Sequence, residues 1–176
     1  MNIAQNFTHE FEHEAKTTRR FLEQLPADKL SWKPHEKSLS AGQLALHIAA
    51  APGGIIGMAM EDEAAPPNFE KAFPEATSVD EVLAAHDASV AAVKQQLPTL
   101  TDERMGQMWR MAAGGQTILE IPRAAMVRTI LMNHIYHHRG QFGVYLRLMG
   151  AFVPSAYGPS GDEQPTFGKE KVGAAG

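Results

Sequence analysis

Apolar positions recur at helical spacing through most of the chain, and short polar segments rich in proline or glycine interrupt them. From about residue 2 to residue 25, Ile3, Phe7, Phe11, Thr18, Phe21, Leu22 and Leu25 share one face at about 100° per residue, which predicts a first helix ended by Pro26. The polar connection "PADKLSWKPHEKS" follows. A second helix is predicted to start after Ser38 or Ser40, with Leu44, His47, Ala51, Ile55 and Met58 along one side. Pro52 removes a backbone donor from its middle, and Gly53 and Gly54 weaken the next turn, so a kink or a break is expected there.

The stretch 63–77 reads as a loop. "SVDE" at 78–81 fits a capping box, with Ser78 bonding forward and Glu81 reaching back, and opens a third helix that runs to about Leu97 before Pro98. In residues 99–121, Gly114 and Gly115 suit a turn between two short extended runs, "MWRMA" and "TILEI". Pro122 suits the first turn of a fourth helix, which should reach Met149 and stop at Gly150. Four helices with one apolar face each, and no convincing sheet, predict an all-α four-helix bundle with a long irregular connection between helices 3 and 4. Residues 1–153 form the expected single domain, and 154–176 a Gly/Pro-rich tail that wraps the surface.

Composition narrows the function. A chain of 176 residues with 44% hydrophobic and 20% charged residues is an ordinary globular domain. The net charge of −4 gives no basic field for nucleic acid or an anionic membrane. The absence of cysteine excludes disulfides, thiolate ligands and a cysteine nucleophile. No apolar run of bilayer-spanning length and no signal peptide is recognised, so a cytoplasmic location is expected.

"HEFEH" at 9–13 matches the H-E-x-x-H pattern of zinc peptidases. Its context is wrong. His9 and His13 lie about 200° and 240° round the helix from Phe7, away from the apolar face, and a zincin needs a preceding sheet and a third ligand downstream. They read as solvated histidines. "NHIYHHRGQFGVYLRLMG" at 133–150 carries more. Val127, Ile130, His134, His138, Gln141, Tyr145 and Leu148 fall on one stripe, so two imidazoles one turn apart sit among apolar groups. Two adjacent buried imidazoles without partners are unfavourable, and a shared metal ion removes that cost. His137 lies to one side, as an edge group or as the ligand in place of His138. His47, on the apolar face of helix two, is the third candidate. Three histidines from two helices leave one coordination position open, as in catalytic zinc sites.

"SWKPHEKSLSAGQLALHIA" (31–49) with "NHIYHHRGQFGVYLRLMGAFVPSAYGPS" (133–160) closely resembles the DinB-like family of metal-binding four-helix bundles, which includes the YfiT-like proteins. The resemblance covers about residues 5–160. It implies a divalent ion, zinc or nickel, held by His47, His134 and His138, and a homodimer. Some relatives are transferases or isomerases that depend on low-molecular-weight thiols such as bacillithiol or mycothiol. The mycothiol-dependent isomerases carry a further C-terminal domain for which this chain is too short. The expectation is a metal-dependent enzyme acting on a small molecule, in which the metal activates a water or an external thiol, as a hydrolase or an S-transferase. The alternative is a non-catalytic metal-binding or stress-related bundle.

Other residues complete the expectations. Glu14 falls within the apolar face of helix one, as a base, a fourth ligand or a ligand's support, against the plainer reading of a carboxylate reaching for solvent at the bundle end. Gln43 and Gln141 each lie one turn from a proposed ligand and can orient an imidazole. Arg139 points away from His134, towards the surface or a dimer contact. Gly140 and Gly143 allow close helix approach. Trp32, Trp109, Met58, Met126 and Met149 read as core.

Overall fold

In the computed structural model, which describes residues 2–68 and 72–164, four long helical elements form the bundle. They are α1 (Ile3–Leu22), α2 (Ala41–Met60), α3 (Val79–Gln96) and a final rod made of α5 (Arg123–Met126), a π-helical stretch Val127–Met132 and α6 (Asn133–Leu148). α2 packs against α3 and α6, and α1 against the same two, so the order round the bundle is α1, α3, α2, α6.

Local chemistry explains the ends. Asn2 and Gln5 cap α1 reciprocally, and Ser40 and Gln43 do the same for α2. At α3 the expected box forms only by half. Ser78 accepts from the Glu81 amide, but the Glu81 carboxylate reaches past Ser78 to the amide and hydroxyl of Thr77. α6 ends in a Schellman turn: Gly150 has φ 76°, its amide bonds Arg147 O, and the Ala151 amide bonds Leu146 O.

Of the kink or break expected at Pro52, the break does not occur. α2 is one uninterrupted helix from Ala41 to Met60. Packing overrides the local penalty: Pro52 is buried, and Ser89 of α3 sits against Gly53 and donates to Ala50 O. α2 is also long and apolar enough to cross a membrane by length and composition, which the sequence reading had not recognised. Eleven of its residues, among them Leu44, Ile48 and Ile56, are buried in this fold.

The connection between α3 and the last rod is long but ordered: the two extended runs read around Gly114 and Gly115 pair as a hairpin, and a third strand that the pattern had not shown joins them. A 3₁₀ turn (Leu97–Thr99) and the short α4 (Asp102–Gly106) lead into a hairpin of β2 (Met108–Ala113) and β3 (Gln116–Pro122). Gly114 and Gly115 make its two-residue turn at φ 57° and 78°, where other residues would be strained. β1 (Glu63–Ala64) adds a parallel edge to β2. Trp109 of β2 is fully buried and donates to Met58 O at the end of α2. Arg123, also fully buried, donates to Ala59 O at 2.6 Å and to Glu61 O, and meets Asp62 at 2.8 Å. The sheet is therefore bolted to the C-terminus of α2.

Residues 165–176 of the expected tail and 69–71 of the expected loop lie outside the described residues. The described part of the tail folds back on α1 and α6. Glu163 pairs with Arg20, Asp162 with Arg147 at 2.7 Å, and the Tyr157 hydroxyl donates to Glu14 at 2.7 Å.

Candidate metal centre

His47 comes from the middle of α2, and His134 and His138 from the first turns of α6. Their ligating nitrogens all lie within 4.8 Å of one another. His47 Nε2 is 3.1 Å from His134 Nε2. The three rings stand edge to face, at interplanar angles of 80°, 87° and 82° and centroid distances of 4.9, 4.7 and 4.4 Å. They surround a common point rather than stacking.

Burial pushes the His47 and His134 pKa values down to about 4, and the neighbouring imidazoles push the same way. His138 is lowered by burial too, against the opposing effect of its hydrogen bond to Gln141. No carboxylate contributes at any of the three. At neutral pH the site is a set of uncharged imidazoles, the protonation state that ligates a metal.

The donor set fits a divalent ion. Two Zn–N bonds of about 2.0–2.1 Å at a tetrahedral angle place the nitrogens about 3.3 Å apart. The observed 3.1 Å needs only a small adjustment. Without an ion, one neutral ring must donate to the other; with an ion between them, both lone pairs are used.

The surroundings orient the ligands. Gln141 Oε1, an acceptor, lies 3.0 Å from His138 Nδ1, so Nδ1 carries the hydrogen and the Nε2 lone pair is free to ligate. The hydrogen bonds of Gln43 go to Ser40 and Phe73 rather than to an imidazole. The side chain caps α2 and donates to Phe73 O at 3.0 Å, and the Phe73 ring lies against His47 with centroids 4.9 Å apart. Its influence on the site therefore passes through Phe73. His137 is exposed and stands edge-on to His138 at 4.7 Å, outside the ligand group.

Glu14 is not brought to the imidazoles. Its carboxylate is buried in an ion pair with Arg139 at 2.7 Å, and Tyr157 donates to the same oxygen. This corrects both the solvent-seeking reading of Glu14 and the surface reading of Arg139. Arg139 does point away from His134, but that side of α6 faces α1, not water. Gly143 serves the same contact: a Cβ there would lie 3.2 Å from the Phe21 ring of α1. His9 and His13 are exposed, as expected. The glutamate of that motif, Glu10, instead takes both Arg128 nitrogens at 2.7 Å and the Tyr136 hydroxyl.

Two features escaped the sequence reading. The π-helical stretch re-phases residues before Asn133 relative to those after it, so one helical wheel cannot run through both. Val127 goes to the core and Ile130 to the mouth of the site. Leu148, in α6 itself and expected on the stripe, is exposed at the helix end. π-helical segments concentrate at functional sites, and this one immediately precedes two ligands. The second feature is a cleft of about 910 Å³ with the three imidazoles in its wall, closed on other sides by Phe73 and by Met111 and Ile118 of the hairpin.

A helical bundle with three convergent neutral histidines at an open cleft fits the class of metal-binding helical-bundle proteins. The comparisons make the class specific: the DinB family profile matches residues 1–169, and the chain belongs to that family. It is 30% identical over 166 residues to the uncharacterised protein YrdA of Bacillus subtilis, covering 94% of each chain. Crystal structures of two DinB-like proteins share the fold. The one from Bacillus cereus has a TM-score of 0.69 at 24% identity, covering 87% of this chain and 97% of that one. YjoA of Bacillus subtilis has a TM-score of 0.67 at 23% identity, covering 86% and 96%.

Proposed function

We propose that this protein is a divalent-metal-dependent enzyme in which His47, His134 and His138 hold the ion and a small molecule enters through the cleft. The observation that carries the reading is the position of the three nitrogens: they converge at the wall of an open cleft, with no fourth donor in the group among the described residues. A structural site would be closed by a fourth ligand. A divalent ion there would act as a Lewis acid and lower the pKa of a coordinated water or external thiol towards neutrality. The protein's own part is orientation. Gln141 fixes the His138 tautomer, Phe73 restrains the His47 ring, and the apolar cleft wall limits water around the reacting group. Zinc and nickel are the proposed ions, because imidazole suits both. The reaction is proposed as hydrolysis or thiol transfer, and the thiol must come from outside, since the chain has no cysteine.

The test is elemental analysis of untagged protein. About one equivalent of metal in the wild type, lost in His47→Ala, His134→Ala and His138→Ala, is the expected result. A wild type that takes up no zinc or nickel near pH 7.5 overturns the proposal.

A further inference from the structure

The cleft differs in character from the chemistry at its wall. Apart from the three imidazoles, its lining among the described residues carries no ionisable side chain. The walls are Ile55 and Met58 of α2, Met111 and Ile118 of the hairpin, Ile130 of the π-helical stretch, and Phe73. Away from the imidazoles, a ligand carboxylate or phosphate would lose water and, among the described residues, meet no guanidinium or ammonium in return, which is strongly unfavourable. A hydrocarbon surface would instead gain from burial against these walls. The size is right for such a ligand, since about 910 Å³ lies at the upper end of small-molecule pockets of about 300–1,000 Å³.

One backbone position keeps that space open. Gly54 lines the cleft, and a Cβ built on it meets nothing within 4 Å. The adjacent Gly53 faces the other way, where a Cβ would lie 2.9 Å from Ser89 Oγ. Gly53 is thus needed for α2 to pack on α3, whereas no packing demand accounts for Gly54. Its lack of a side chain costs helix stability and leaves volume in front of the imidazoles.

We propose that the cleft selects a neutral, largely hydrocarbon small molecule that presents a single metal-seeking head group to the three histidines, and that Gly54 provides the room for its body. The head-group part rests on the metal reading above; the hydrocarbon part rests on the cleft walls alone. A thiol whose body carries a carboxylate or a sugar against the cleft walls is therefore a poor ligand, and one with a hydrocarbon body is a good one.

The test uses a homologous series of straight-chain thiols from propanethiol to octanethiol, with 3-mercaptopropionate as the charged member. Binding is measured by calorimetry on zinc-loaded protein, and on chelator-treated protein by displacement of the neutral dye Nile red. The expected result is about three- to fourfold tighter binding per added methylene in both forms, from about 0.8 kcal/mol per buried methylene. Loading with zinc should add a constant increment for every straight-chain thiol, and on chelator-treated protein 3-mercaptopropionate should bind at least tenfold more weakly than butanethiol. Gly54→Phe, which puts a ring into the open space of the cleft, should abolish the chain-length dependence and keep its zinc. A flat dependence on chain length, or tighter binding of the carboxylate by chelator-treated protein, overturns the hydrocarbon proposal even if zinc binds. A retained chain-length dependence with no zinc increment overturns the head-group part and the metal reading with it, and leaves the hydrocarbon cleft standing. A Gly54→Phe variant that keeps the full dependence overturns the role of Gly54.

Discussion

The Glu14–Arg139 pair gives a direct test of how the bundle is held behind the metal centre. Both side chains are almost fully buried, at 6% and 3% exposure, and their charged atoms lie 2.7 Å apart. Arg139 also donates to Thr18 Oγ1 and Glu14 O at 3.3 Å and to the Tyr157 hydroxyl at 2.6 Å. Removing one member of a buried pair strands the other charge, at about 3–5 kcal/mol. Tyr157 is 65% exposed, so water reaches one edge of the pair, and the lower end applies. Arg139→Met and Glu14→Gln should each destabilise by about 3 kcal/mol. For a domain of this size that lowers Tm by about 6–12 °C. The double variant should cost far less than the sum, with a coupling of about 2 kcal/mol. The assay is urea unfolding of chelator-treated protein, so that metal binding does not shift the baseline. Metal uptake of each variant is measured in parallel and should equal that of the wild type. A coupling below about 0.5 kcal/mol would refute the ion-pair reasoning. Normal stability in Glu14→Gln together with lost metal would place Glu14 in the metal centre instead.

Further outcomes follow from the same geometry. Gln141→Leu frees the His138 ring and should weaken zinc binding about 10–100-fold, read by competition with a chelator; unchanged affinity would mean that the hydrogen bond does not position the ring. Gly54→Ala should stabilise the protein by about 0.5–1 kcal/mol, and Gly53→Ala, which crowds Ser89, should destabilise it by about 1–3 kcal/mol; equal signs in urea unfolding would contradict the packing of α2 on α3. His47 and His134 have folded pKa values of about 4 against about 6.5 unfolded, so the unfolded chain binds more protons between those limits. Their contribution to metal-free stability is present above about pH 6.5 and is lost as pH falls towards 4. Urea midpoints of chelated protein should therefore fall less steeply with pH in His47→Leu than in the wild type, and identical slopes would count against the buried neutral imidazoles.

The sequence by itself determined the four helices, because each apolar face repeats at 3.6 residues and most ends carry their own chemistry. Gly150 and the Gly114–Gly115 turn are local events, fixed by backbone conformations that favour glycine, and they were legible for that reason. The histidines were legible because polar rings at helical spacing stand out among apolar neighbours. Tertiary structure decided everything that depends on which element packs on which. Pro52 and the two glycines after it carry a strong local signal for a break, but burial against α3 holds α2 continuous. Arg139 looked like a surface residue because a helical wheel shows where a side chain points and not what stands opposite; here it is α1 with a buried carboxylate. The third strand was missed because β1 lies more than forty residues from its partner β2, a pairing that no local pattern encodes. The cleft was invisible for the same reason. Its walls come from α2, residues 66–67 and 72–74, the hairpin, the π-helical stretch and α6, and its apolar character exists only where those elements meet.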